Sequence, residues 1–253
     1  LWMLLNQILK GSSMVKFLFQ FPIFDFSLTF DIIETLITHS ESSIAKGIAE
    51  YKDKGPEEYI IEISPEDGVY QSIDHYMGLT SSSLDLDEMF LEYYPSIIRR
   101  SVFLTIFGIF EHEIEKFCNN FANRHHSPIN VSDLKGSGFE RSHLFIKKMI
   151  GMKSTSHYSN IKKITKLRNS CAHNDAKYLE NDGQNIKSII ELIEKYPDFF
   201  KKDGKQVLFM GGSLSMILNS FKEYLSDVER ALDEFEKQST SGDKVAAAVG
   251  ITP

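Results

Sequence analysis

The sequence predicts an all-α fold, a helical bundle with a small β-hairpin inserted in it. Three observations carry that expectation. From Pro95 to about Asn123, Phe103, Phe107, Phe110, Ile114, Phe117 and Phe121 recur at steps of four and three, the spacing of one helix face. After Ser213 the same rhythm returns in Leu214, Ile217, Phe221, Leu225, Val228, Leu232 and Phe235. Between the two, Asp203-Gly204 separates Phe199-Phe200 from Val207-Leu208, the mark of a tight hairpin.

Taken in order, the first helix is expected over Asp31 to Tyr51, where Ile33, Leu36, Ile37, Ile44 and Ile48 fall near one face, and Gly55-Pro56 ends it. Glu58 to Thr80 is mixed, with Tyr59 to Ile63 a short strand and Pro65-Glu66-Asp67-Gly68 a turn. Ser83 and Asp85 cap a short helix through Glu92, and Pro95 suits the first turn of the long phenylalanine-rich helix. Val102, Leu104, Ile106 and Ile109 make the first half of that helix apolar on most sides, so it belongs at the centre. A loop with Pro128, Gly136 and Gly138 leads to helices over about Glu140 to Met152 and Asn160 to Ala172. The second of these has Ile161, Ile164, Leu167 and Cys171 on one side and is expected to end near Ala172 to Asp175, where a break after Cys171 would help His173 and Arg168 reach one phosphate. A helix over Asn185 to Tyr196 stops at Pro197, and Ser213 caps the last long helix.

Length and patterning divide the chain into an N-terminal segment (1–30), an N-terminal helical extension (31–84), one main helical domain (85–238) and a flexible tail (239–253). Because the chain opens on Leu1, residues 1–13 are read as an added leader, with Met14 the natural start. No internal repeat suggests a solenoid. Lys10, Gly11, Lys16 and Pro22 interrupt the apolar N-terminus, so no run reaches the roughly 18 residues that span a bilayer, and no membrane association is expected. Two cysteines, Cys118 and Cys171, lack CxxC partners and read as reduced thiols of a cytoplasmic protein.

The formal net charge is -7, which at first argues against nucleic acid. Between Lys135 and Tyr178, however, ten Lys or Arg stand against Glu140 and Asp175, a local net of +8. Such asymmetry suits a phosphate-binding face on an acidic protein. Within this segment lies Arg168-Asn169-Ser170-Cys171-Ala172-His173. Cutting RNA without a metal needs a base for the 2′-hydroxyl proton, an acid for the departing 5′-oxygen and positive charge on the phosphorus oxygens. Histidine serves either proton role near neutral pH, and arginine offers a permanently charged fork. On a straight helix five residues would separate Arg168 and His173 by roughly 140°, hence the expected break.

Arg168, Asn169 and His173, with Phe110-Glu111 on the long helix, resemble the signature of the HEPN superfamily, an Arg followed by a polar residue and a His four to six positions on. The resemblance covers about Asp85 to Glu236. It implies a HEPN-like helical bundle and a metal-independent endoribonuclease, needing no cofactor, that dimerises so that two Arg/His pairs form one composite cleft. By that resemblance His173 from two subunits shares acid and base work, Arg168 binds the scissile phosphate, and Asn169 and Glu111 orient the pair. Products carry 2′,3′-cyclic phosphate and 5′-hydroxyl ends. Lys162, Lys163, Lys166 and Lys177 are the candidates for RNA phosphate contacts. The setting implied is a toxin–antitoxin or antiviral one, with an inhibitory or activating protein partner. The alternative is a non-catalytic HEPN-fold module that holds RNA, a nucleotide or a protein, and a third reading is a helical scaffold whose basic segment docks an acidic partner.

Other signals fail on inspection. His112-Glu113-Ile114-Glu115-Lys116 has a lysine where the helical zinc motif needs its second histidine. His125-His126 reads as a solvated pair at a helix end. Cys171 and His173 stand too close and on different helix faces for a nucleophile pair, and no Gly-rich phosphate loop is present.

Overall fold

The computed structural model describes residues 24–248 other than 137 and 181, with side chains described as far as 238. The reading of residues 1–13 as a leader lies outside these residues. In chain order the elements are α1 (Ser27–Lys54), β1 (Glu57–Ser64), β2 (Val69–Tyr76), β3 (Leu79–Thr80), α2 (Leu86–Glu88), a π-helical turn (Met89–Tyr93) and α3 (Tyr94–Arg124). A 3-10 turn (Val131–Asp133), α4 (Gly138–Phe145), a second π-helical turn (Ile146–Ile150) and α5 (Ser156–His173) follow. The chain closes with α6 (Lys187–Lys195), β4 (Phe200–Asp203), β5 (Gln206–Phe209) and α7 (Ser213–Ala248).

The all-α expectation needs correcting: the protein is mostly helical but carries two small antiparallel sheets. The β4–β5 hairpin was legible. The other sheet, in the order β1-β2-β3, occupies part of what was expected to be a helical extension. Its cause is local, since Tyr59, Ile61 and Ile63 alternate with polar or β-branched neighbours and Gly68, at φ +63°, allows the reversal. Glu57 pairs with His75 and Glu62 with Tyr70, and the register shifts between Glu62 and Ser64. Tyr59, Ile60, Ile63 and Tyr70 are all exposed, so this sheet stands clear of the core.

The core forms around α3. Phe103, Ile106, Phe107, Phe110, Ile114, Phe117 and Phe121 are buried along it, as are Leu214, Ile217, Phe221, Leu225, Val228 and Leu232 of α7. The two helices meet where Phe110 stacks on Phe221, ring centroids 4.0 Å apart and nearly parallel. The β4–β5 hairpin packs Phe209 against Phe103. Buried Arg99 of α3 donates through Nε and Nη2 to both Glu41 carboxylate oxygens of α1, at 2.9 and 2.8 Å, and through Nη1 to the Phe209 carbonyl at 3.2 Å. That bidentate pair joins three separate elements.

Helix ends follow side-chain chemistry in some places and not in others. Asp85 accepts from the Glu88 N–H at 2.9 Å, as its position suggested. Thr155 caps α5 by accepting from the Tyr158 N–H at 3.1 Å. Ser213 is not the expected cap: it is the first residue of α7, and its hydroxyl is buried without a hydrogen-bond partner. The tail expected from Ser239 is helical through Ala248, in keeping with the helix preference of Lys244 to Ala248. Among the described residues no helix is long and apolar enough to cross a membrane.

Candidate active site

The basic segment is built on α5, whose buried face is Asn160, Ile161, Ile164, Leu167 and Ser170. Burying that face fixes the phase of everything else on the helix. Lys162, Lys166, Asn169 and His173 are all exposed, and steps of four, three and four residues set them within about 60° of one another around the axis. They form one stripe roughly 16 Å long. Arg168 stands on its flank.

The helix ends within the expected Ala172 to Asp175 stretch, but the break after Cys171 that would bring His173 toward Arg168 does not occur. Helical hydrogen bonding runs through His173 and on to the Asn174 N–H, which donates to the Ser170 carbonyl at 2.8 Å. Only then do Asp175 (φ +50°) and Ala176 (φ +56°) turn the chain left-handed. Arg168 and His173 of one chain therefore keep the roughly 140° separation of a regular helix. The reversal is firmly held: Arg100 of α3 binds the Asp175 carboxylate at 3.1 Å and its carbonyl at 3.2 Å, Gln206 of β5 also binds that carboxylate, and Lys177 bridges to Gln206. His173 sits at the edge of this clasp.

Arg168 opens onto a cleft of about 560 Å³ between α3, the start of α4 and α5. Its Nη2 lies 3.6 Å from Glu111 Oε2, its Nη1 donates to Asn169 Oδ1 at 3.1 Å, and its guanidinium carbon is 5.6 Å from the centroid of the Phe107 ring. Arg168 Nε is buried with no acceptor, so the fork is under-satisfied as it stands. Glu111 is fixed from the other side, where Oε1 accepts the Phe139 N–H at 2.7 Å and so caps α4. The carboxylate fits there because residue 138 is glycine, at φ +52°: a Cβ would lie 1.7 Å from Glu111 Oε1. Glu111 thus links the α4 terminus to Arg168, a role that no spacing in the sequence signals.

Asn169 shares the cleft with Arg168 and the stripe with His173, whereas His173 is not among the residues lining the cleft. His112 does line it, and the sequence had suggested that residue only as half of a failed zinc motif. Glu115 and Glu140 also border the cleft, and Glu115 is partly offset by Arg141 at 3.2 Å.

The four lysines separate. Lys162 and Lys166 stay on the stripe. Lys163 instead binds Glu191 of α6 at 2.8 Å, tying two helices together. Lys177 lies past the helix end; its N–H donates to the Asn174 carbonyl and its carbonyl accepts from the Ser170 hydroxyl.

Comparison with protein-family models, with curated proteins and with solved structures finds no match. The geometry alone must carry the reading. Burial pushes the Cys171 thiol up to about 12, with Arg100 lowering it and Asp175 raising it less, so it is no nucleophile near neutral pH. Among the described residues no group of three or more His, Cys, Asp or Glu side chains could hold a metal ion.

Proposed function

We propose that this chain is a metal-independent endoribonuclease of the kind the HEPN resemblance implies, active as a dimer whose subunits complete one cleft. The observation that supports it most directly is the exposed stripe Lys162, Lys166, Asn169 and His173, with Arg168 opening onto a cleft beside it. A histidine takes the 2′-hydroxyl proton, the 2′-oxygen attacks phosphorus, the bond to the 5′-oxygen breaks, and a second protonated histidine gives that oxygen its proton. Arg168 neutralises the phosphorane oxygens. Since Arg168 and His173 of one chain diverge around α5, the reaction needs His173 of a second subunit near the first subunit's Arg168, and the two histidines supply the acid and the base. The biological role proposed is that of a toxin or antiviral effector held by a protein partner.

One observation favours a second reading, a non-catalytic RNA-, nucleotide- or protein-binding module. Arg168 is already engaged by Glu111 and Asn169, and Glu115 and Glu140 add negative charge to its cleft.

Labelled total RNA and tRNA incubated with purified protein in excess EDTA decide between them. The ribonuclease predicts fragments with 2′,3′-cyclic phosphate ends, lost in Arg168→Ala and in His173→Ala, and not restored when the two variants are mixed, because such a heterodimer holds a single His173. Cleavage that survives His173→Ala but disappears in His112→Ala would move the acid or base to the cleft histidine. RNA binding without cleavage at any protein concentration would select the module.

A further inference from the structure

A second cavity, about 310 Å³, lies along α4 and α5 beyond the Arg168 cleft, and Glu140 borders both. Its walls include Lys135, Lys147 and Lys162, with Ser154, Tyr158 and His143. Three lysines face one glutamate there, and none of the three forms an ion pair among the described residues. The floor is aromatic but already covered: His143 stacks on Tyr158 with ring centroids 3.3 Å apart and an 11° tilt, and Lys162 Nζ stands 6.0 Å from the Tyr158 centroid. Burial, and then Lys147 and Lys162, lower the His143 pKa to about 4, so near neutral pH the charge of the cavity comes from its lysines.

We propose that this cavity is a phosphate-binding subsite for the same RNA strand, in which Lys135, Lys147 and Lys162 hold a phosphodiester upstream or downstream of the one at Arg168. The choice of ligand rests on the ribonuclease reading; the existence of an anion site rests on the lysines. Lys162 is what connects the two places, because it belongs both to this cavity and to the α5 stripe that ends at His173. The lysines reach phosphate oxygens, which carry no base information, so the subsite positions backbone. The strand is thereby positioned with no sequence preference from this end of the site.

The test is the salt dependence of binding. A fluorescein-labelled single-stranded RNA is titrated by anisotropy, in EDTA, with full-length protein carrying His173→Ala to suppress cutting, alone and with Lys135→Ala plus Lys147→Ala added. Removing two phosphate contacts should weaken binding at low salt and reduce the slope of log affinity against log salt by about 1.4. Lys46→Ala, an exposed lysine on α1, serves as the charge control. Lys135 and Lys147 are exposed, and an unchanged melting temperature verifies the fold. An affinity and slope equal to those of the Lys46 control overturn the subsite, even if the wild type cuts RNA. A slope that falls as expected, in a protein whose wild type never cuts, keeps the subsite and discards the ribonuclease. No RNA binding by either protein overturns both.

Discussion

Gly138 shows how much of the site hangs on one missing side chain. Glu111 Oε1 occupies the space a Cβ would take, caps the Phe139 N–H, and through its other oxygen faces Arg168. Gly138→Ala must move that carboxylate and also places a side chain at φ +52°. Thermal unfolding should show a loss of about 1–3 kcal/mol, with RNA cleavage falling by more than that loss of stability explains. Wild-type stability in Gly138→Ala would mean that α4 re-caps without Glu111. The part played by Gly138 and the cap on Phe139 were not legible: Glu111 and Phe139 stand 28 positions apart, and a glycine before a helix reads only as a loop. Arg168, Asn169 and His173 could be singled out because residue type and local charge coincide there, and the fold sets the first two on one cleft and the third outside it. The pairing of Lys163 with Glu191 was not legible because sequence does not show which of two adjacent lysines faces α6.

For the elements, what the sequence discloses depends on where the hydrogen bonds go. Helices with a buried stripe, α1, α3, α5 and the start of α7, could be read to within a few residues, since apolar period alone fixes them, whereas α7 runs on to Ala248 past its expected end at 238. The end of α5 was also placed, near Ala172 and one residue short of His173, but its cause was hidden. That end is set by Arg100 and Gln206, distant residues that receive the chain after His173, and not by a local breaker. The β1–β2–β3 sheet was only half visible for a related reason: exposed on most of its surface, it lacks the one-sided burial that makes alternation unmistakable. At the other end of α5, Thr155 caps the helix locally, and its side chain also hydrogen-bonds Asp227 of α7. Thr155→Ala should cost about 1 kcal/mol in urea unfolding, while Thr155→Ser restores most of it. Equal loss in both variants would show that the methyl group, and not the hydroxyl, matters.

The whole molecule should weaken in mild acid. His143 is buried against Tyr158 and hydrogen-bonds Tyr224 at 3.0 Å, with Lys147 and Lys162 nearby. Burial first, and then the two lysines, bring its pKa down to about 4 in the folded state, against an unfolded value near 6.5. The unfolded chain therefore binds the extra proton between those values. The contribution of His143 is complete above about pH 6.5 and is lost as pH falls toward 4, on the order of 3 kcal/mol. Asp227 acts lower. Burial raises its pKa, but Thr155, His157 and Arg230 outweigh that and hold it below the ordinary carboxylate value, so its share is lost only as pH falls below about 4. Urea midpoints at pH 7.5, 6.0 and 5.0 should decline steadily in the wild type and much less in His143→Gln. A flat wild-type profile would mean that the imidazole is solvated.

The clasp on the turn after His173 also carries a consequence in time. Glu111 and Arg168 both lie in the first 168 residues of the chain, but the turn that follows His173 is held by Gln206 as well as by Arg100. During synthesis, a ribosome-bound chain that has not yet reached β5 has its arginine but lacks half of the hold on that turn. For the proposed ribonuclease, the growing polypeptide stays harmless to the RNA around it until nearly the whole core has been made.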